Sequence, residues 1–212
     1  MPLTESIPAK SKQSIKPVPY HGPLDWRMLV QWLQDDGVIT AQEAERTVAR
    51  CSSAESVQLP LVRLANVGVV SAQSGRPLDI ETLTQYLAQR SGLAYLRIDP
   101  LRVDVGRVGE VMSASYAERH KVLPVQVTAK EVVIATAEPF ITDWVSEVER
   151  QARRSVRCVV ANPLDIKRFT GEFFALAKSV RAAEKAGGAA SSASFEQLVE
   201  LGKSNKQLDA ND

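Results

Sequence analysis

The sequence predicts an α+β protein, a mainly helical first half followed by a small β-β-α-β-α sandwich. Three observations carry this. Apolar residues recur at helical spacing between Trp26 and Leu87. Two β-branched runs, 122–127 and 131–136, alternate at period two around a short turn containing Lys130. After Pro139 the period returns to that of a helix, and a further valine-rich run at 156–160 precedes a last helical stripe.

The first helix starts at Asp25, a good N-cap, and Trp26, Leu29, Val30 and Leu33 form its buried stripe. Asp35-Asp36-Gly37 ends it. Thr40-Ala41-Gln42-Glu43 has the form of a capping box, followed by a stripe of Ala41, Ala44, Val48 and Cys51. A third helix spans 59–67, with Leu61, Leu64 and Ala65 inward. Asp79 caps a fourth carrying Ile80, Leu83 and Leu87, and Gly92 is its C-cap. A short extended piece at 93–98 leads through Asp99-Pro100 to one or two short helices, with Val105, Val108 and Met112 in the first and Tyr116 and Ala117 in the second.

In the second half, Leu123, Val125 and Val127 share one face by the period-two rule, as do Val132 and Ile134. Ile141, Trp144, Val145 and Val148 mark a helix. Asn162-Pro163 caps the last one, which carries Ile166, Phe169, Phe173 and Leu176. The expected sandwich is a three-stranded sheet with helices on one face. Four regions follow: a flexible leader at 1–23 with Lys10, Lys12 and Lys16, a helical subdomain at 24–119, an α/β subdomain at 120–178, and a linker and connector at 179–212. Within the last, Phe195, Leu198, Val199 and Leu201 predict a short amphipathic helix.

A chain of 212 residues holds one large domain or two small ones. Its formal net charge of +1 provides no bulk attraction to nucleic acid or anionic lipid. No stretch reads as a signal peptide or approaches the roughly 20 apolar residues of a membrane span, so a soluble, cytoplasmic protein is expected. Cys51 and Cys158, the only cysteines, stand apart from any metal-ligand spacing and read as small hydrophobes.

No phosphate-binding loop of the GxxxxGK[ST] form occurs, and no HExxH, GxSxG or EF-hand pattern. His21 lies in the proline-rich leader and His120 precedes the first strand without a nucleophile at a diagnostic spacing. The sharpest charge cluster is Arg150, Arg153, Arg154 and Arg157, at the end of the Trp144 helix and into the next strand. Cations there complement the helix dipole, and they equally suit an acidic partner surface or a phosphate. These residues predict a binding or scaffold module without catalytic residues, metal or cofactor.

The segments RHKVLPVQV, VVIATAEP, VVANPLDI and RFTGEFF, together with LAQRSGLAYL ahead of Asp99-Pro100, resemble the N-terminal domain of type II secretion and type IV pilus assembly ATPases over residues 24–177. The resemblance implies that the ATPase core, with its ATP and magnesium sites, lies downstream of this chain. It implies a non-catalytic docking and regulatory domain, peripheral at the inner membrane, that couples the motor to the cytoplasmic part of a membrane platform protein and to the parent's own core, without nucleic acid. Arg150, Arg153 and Arg154 are the docking candidates. Some members bind cyclic di-GMP through paired RLGxxLxxxGxxxxxxLxxxLxxQ motifs. Aligned on Gly37, Met28-Leu29-Val30 stands at RLG with Arg27 one place early. Arg63-Leu64-Ala65 is similar to the second RLG, and Arg90 stands where the motif has glutamine. Arg27, Arg63 and Arg90 are the dinucleotide candidates of this second reading.

Overall fold

The structure, a computed structural model, describes residues 15–53, 58–180 and 182. The predicted linker and C-terminal helix lie outside the described residues. The helical half contains α1 (Trp26–Asp35), α2 (Ala41–Ser53), α3 (Pro60–Val67) and α4 (Ile80–Ser91). A strand β1 (Ala94–Tyr95) and a 3-10 turn (Pro100–Arg102) lead to α5 (Val105–Val111) and α6 (Ala114–His120). Then follow β2 (Val122–Val127), β3 (Glu131–Thr136), α7 (Val145–Ala152), β4 (Ser155–Val160) and a helix α8 over 163–180.

The helix ends are set by the local chemistry that the sequence shows. Asp25 Oδ1 accepts from the N–H groups of Arg27 (2.8 Å) and Met28 (3.3 Å), and Asp79 Oδ1 accepts from Thr82 N–H (2.7 Å). Gly92 closes α4 at φ +71°, a left-handed conformation that glycine adopts without steric cost. Trp26, Leu29, Val30 and Leu33 are all buried, as their spacing requires.

The stripe of α2 differs from the expected one. Thr47 and Glu43 are buried beside Ala44 and Cys51, while Ala41 and Val48 face solvent. Thr40 Oγ1 accepts Glu43 N–H, but the Glu43 carboxylate turns inward: its Oε1 accepts from Arg50 Nη2 (2.5 Å) and Val70 N–H (3.2 Å). The carboxylate thus ties α2 to the chain after α3. In α8 the stripe drifts likewise, with Ala177 buried where Leu176 was expected. Met112 is buried one residue beyond the end of α5.

The α+β class holds, with a larger sheet than predicted. It has four strands in the order β1-β4-β3-β2. β2 and β3 form the antiparallel hairpin; β4 returns parallel to β3 through α7, and β1 adds parallel to β4. β1 falls within the extended piece expected at 93–98, and only its pairing with β4 is new. A bulge lies between Pro124 and Gln126, so Val125 is the extra residue and Val127 passes to the face opposite Leu123 and Val125. Pro124 sits on the edge strand, where a missing N–H costs no ladder bond.

Helices cover both faces of the sheet, not one. α8 packs Ile166, Phe169 and Phe173 on Leu123, Val133 and Val159. On the other face Trp144 and Val148, with Ala117 of α6, cover Val122, Val132 and Ile134. β3 is consequently apolar on both sides, which the run VVIAT already shows.

The two halves share a core, since Phe140 and Val160 belong to the apolar cluster of the helical half. Residues 15–23, expected in the leader, are packed here. Tyr20 stands edge-on to Trp32 and Phe140, with ring centroids 5.9 and 5.3 Å away. Val18 N–H bonds Arg90 C=O, and Gly22 N–H bonds Phe140 C=O. Glu138, 4% exposed, accepts Leu24 N–H at Oε2 (3.0 Å) and the Lys121 ammonium at Oε1 (3.1 Å). The Ala-Glu-Pro that ends β3 is therefore the joint between the halves.

Candidate functional site

Two groups of arginines stand out, one at the hairpin end of the sheet and one on the helical half. At the hairpin end, α7 carries Arg150 in its last turn and stops at Arg153, whose backbone is left-handed at φ +52°. The N–H groups of Arg153 and Arg154 both return to Glu149 C=O, closing the helix, and Glu149 Oε1 accepts Val156 N–H (2.9 Å). Lys130 C=O accepts both the N–H and the hydroxyl of Ser155 (3.0 and 3.1 Å), which brings the hairpin turn alongside. Exposed Lys130 thereby joins Arg150, Arg153 and Arg154, a neighbour that sequence spacing does not reveal. Arg157 does not share their character, because its Nε lies 3.3 Å from both carboxylate oxygens of Glu131. Arg150, Arg153 and Arg154 form no ion pair with any described residue. Guanidinium groups without ion pairs among the described residues suit carboxylates of another molecule.

On the helical half, Arg27 and Arg63 converge on one ring. Their guanidinium carbons lie 4.2 and 5.1 Å from the centroid of Trp26. Arg63 also donates from Nη2 to Cys51 C=O. Arg90 is elsewhere: its side chain is only 12% exposed and lies 5.2 Å over Trp32. There Nη1 donates to Asp36 Oδ1 (3.2 Å) and to Lys16 C=O (3.3 Å), while Tyr86 donates its hydroxyl to Asp36 Oδ2 (2.7 Å). Burial and the Asp36 carboxylate push the Tyr86 phenol far above its ordinary range, so it remains a hydroxyl donor. Arg90 thus fastens α4, the end of α1 and residues 15–18 to one another.

The histidines and cysteines of the described residues lie in separate surroundings. His120 lies against Tyr116, with centroids 4.4 Å apart. Desolvation, and then the Arg119 charge, lower its pKa. His21 is exposed, 3.3 Å from Asp143. Burial raises the pKa of the free thiols Cys51 and Cys158. Among the described residues no cluster of His, Cys, Asp or Glu is arranged to hold a metal. No described helix is long and apolar enough to cross a membrane.

Fold and surface define the class first: an α+β domain whose conspicuous groups are outward-facing arginines. Residues 91–180 match the MshEN domain family. Over 199 residues the chain is 32% identical to the type IV pilus assembly ATPase TfpB of Acinetobacter baylyi, covering 91% of this chain and 34% of that protein. A structure of MshE with cdg is similar at TM-score 0.50 and 17% identity, covering 68% of this chain and 97% of that one. The N-terminal domain of XpsE matches at TM-score 0.44 and 16% identity, over 68% and 91% of the two chains. The chain is thus similar to a type IV pilus assembly ATPase, of which it spans about a third, and its residues 91–180 match the MshEN domain. An MshEN domain is not the catalytic core of such an ATPase.

Proposed function

We propose that this chain is the non-catalytic docking and regulatory domain of a pilus or secretion motor. It couples the motor's core to the cytoplasmic part of an inner-membrane platform protein, and so sits peripherally at that membrane. ATP and magnesium belong to the core, and this chain carries no cofactor of its own. The observation behind the reading is the patch of Arg150, Arg153 and Arg154, without acidic partners among the described residues, on the rigid end of α7. Exposed charges of this kind steer association and fix orientation more than they stabilise the fold. The test is calorimetric titration of the chain with the platform protein's cytoplasmic part. Arg150→Glu combined with Arg153→Glu weakens binding by about tenfold or more at low salt, since like charges then face each other. Unchanged affinity removes the patch from the proposal.

A second reading, binding of cyclic di-GMP, is favoured by the convergence of Arg27 and Arg63 on Trp26. Two guanidinium groups over one indole offer charge for a phosphate. Arg90, the third candidate, is held by Asp36 and serves this reading only if that ion pair opens. Calorimetry decides it: saturable binding that Arg63→Ala abolishes supports it, and a flat titration at high ligand concentration ends it.

A further inference from the structure

A groove of about 480 Å³ lies between the segment 94–103 and the face of the sheet. Its floor is apolar, formed by Val125, Val133 and Val159 from β2, β3 and β4. Arg97, Arg102 and Arg157 also line it, against the single carboxylate of Asp99.

These arginines are weakly engaged. Arg157 faces Glu131 at 3.3 Å and Arg102 faces Asp99 at 3.6 Å, all with side chains between 38% and 87% exposed, and Arg97 pairs with no described carboxylate. Exposed pairs of this kind exchange readily for a better partner. Three of the backbone N–H groups beside the groove are spent internally. Leu96 N–H goes to Val160 C=O, Leu101 N–H to the Asp99 carboxylate and Arg102 N–H to Asp99 C=O. An apolar floor with arginine forks at the rim matches carboxylates spaced around an apolar side chain. From the same segment Leu101 projects 94% exposed, an apolar handle beside the charged rim.

We propose that this groove takes an acidic protein segment, with an apolar side chain on the valine floor and its carboxylates on Arg97, Arg102 and Arg157. The proposal rests on the docking reading and gives it a second contact, separate from the arginine patch on α7. The probe is a fluorescein-labelled peptide in which leucine alternates with glutamate, titrated into the full chain by anisotropy, with a leucine–lysine peptide as control. The acidic peptide binds, and weakens by about tenfold between roughly 50 and 500 mM salt. Arg97→Glu with Arg157→Glu reduces its affinity about tenfold or more. Leu101→Ala, at a position too exposed to affect folding, also weakens binding, and melting curves confirm that every variant folds. Absence of binding by the acidic peptide, or equal binding of the lysine peptide, overturns the proposal. Displacement of the peptide by inorganic phosphate or AMP overturns it in favour of a small anion. Peptide binding that responds only to Arg150 and Arg153 sinks the groove but leaves the docking reading intact. A chain with no affinity for the platform protein's cytoplasmic part loses the docking reading whatever the peptide does.

Discussion

Replacing Glu138 by alanine breaks the joint between the halves, and its cost follows from the geometry. The carboxylate is 4% exposed; Oε2 accepts Leu24 N–H at 3.0 Å and Oε1 accepts Lys121 Nζ at 3.1 Å. Truncation leaves a buried N–H without an acceptor, a penalty of about 1–3 kcal/mol. The lost ion pair adds less, because the Lys121 side chain is 44% exposed and regains water. The sum is about 3 kcal/mol, which for a chain of this size lowers Tm by roughly 6–12 °C. Glu138→Gln retains an oxygen for Leu24 N–H and gives up only the charge, so about 1 kcal/mol is expected. Urea unfolding followed by far-UV circular dichroism measures both, with the slope of the transition reporting whether the halves still unfold together. Equal losses for alanine and glutamine, or an alanine variant within about 0.5 kcal/mol of the parent, refute the hydrogen-bond account.

Other consequences are as specific. Phe140→Ala empties the middle of the Tyr20–Trp32–Phe140 cluster and costs about 3–5 kcal/mol in the same unfolding assay, with loss of near-UV signal from Trp32. Tyr86→Phe removes the hydroxyl donor to Asp36 while Arg90 remains, so about 1 kcal/mol is expected, and a much larger loss means that Arg90 cannot hold Asp36 alone. His120 has a folded pKa below its ordinary value, so the unfolded chain binds the proton more readily. Its contribution to stability is complete above about pH 6.5 and falls as pH drops through that value. His120→Gln flattens this part of the stability–pH curve, and an unchanged slope assigns it to other groups. Both thiols, with raised pKa, react slowly with a disulfide reagent at pH 8 until denaturant is added.

Features decided within a few residues were legible in the sequence. Asp25 and Asp79 cap their helices through N–H groups two or three positions on, and Gly92 ends α4 because a left-handed residue there needs no Cβ. The β2–β3 hairpin and the β-β-α-β-α order follow from period and turn chemistry alone. The arginine patch on α7 was visible as a cluster, since consecutive turns of one helix and its exit keep those residues together.

What only the tertiary structure decided spans longer separations. Glu43 looks like a capping-box partner, yet its carboxylate serves Val70, 27 residues away. Arg90 looks like a ligand in a degraded motif, yet it meets Asp36 across 54 residues, and Glu138 reaches Leu24 across 114. Arg27 and Arg63 share Trp26 only because α1 and α3 pack together. In each case a polar group inside a forming core must find a partner, and the available one is set by how the elements pack, not by its neighbours in the chain. The sequence by itself determined the helices, the hairpin and the class of protein. Packing decided which arginines are consumed inside the fold and which remain exposed.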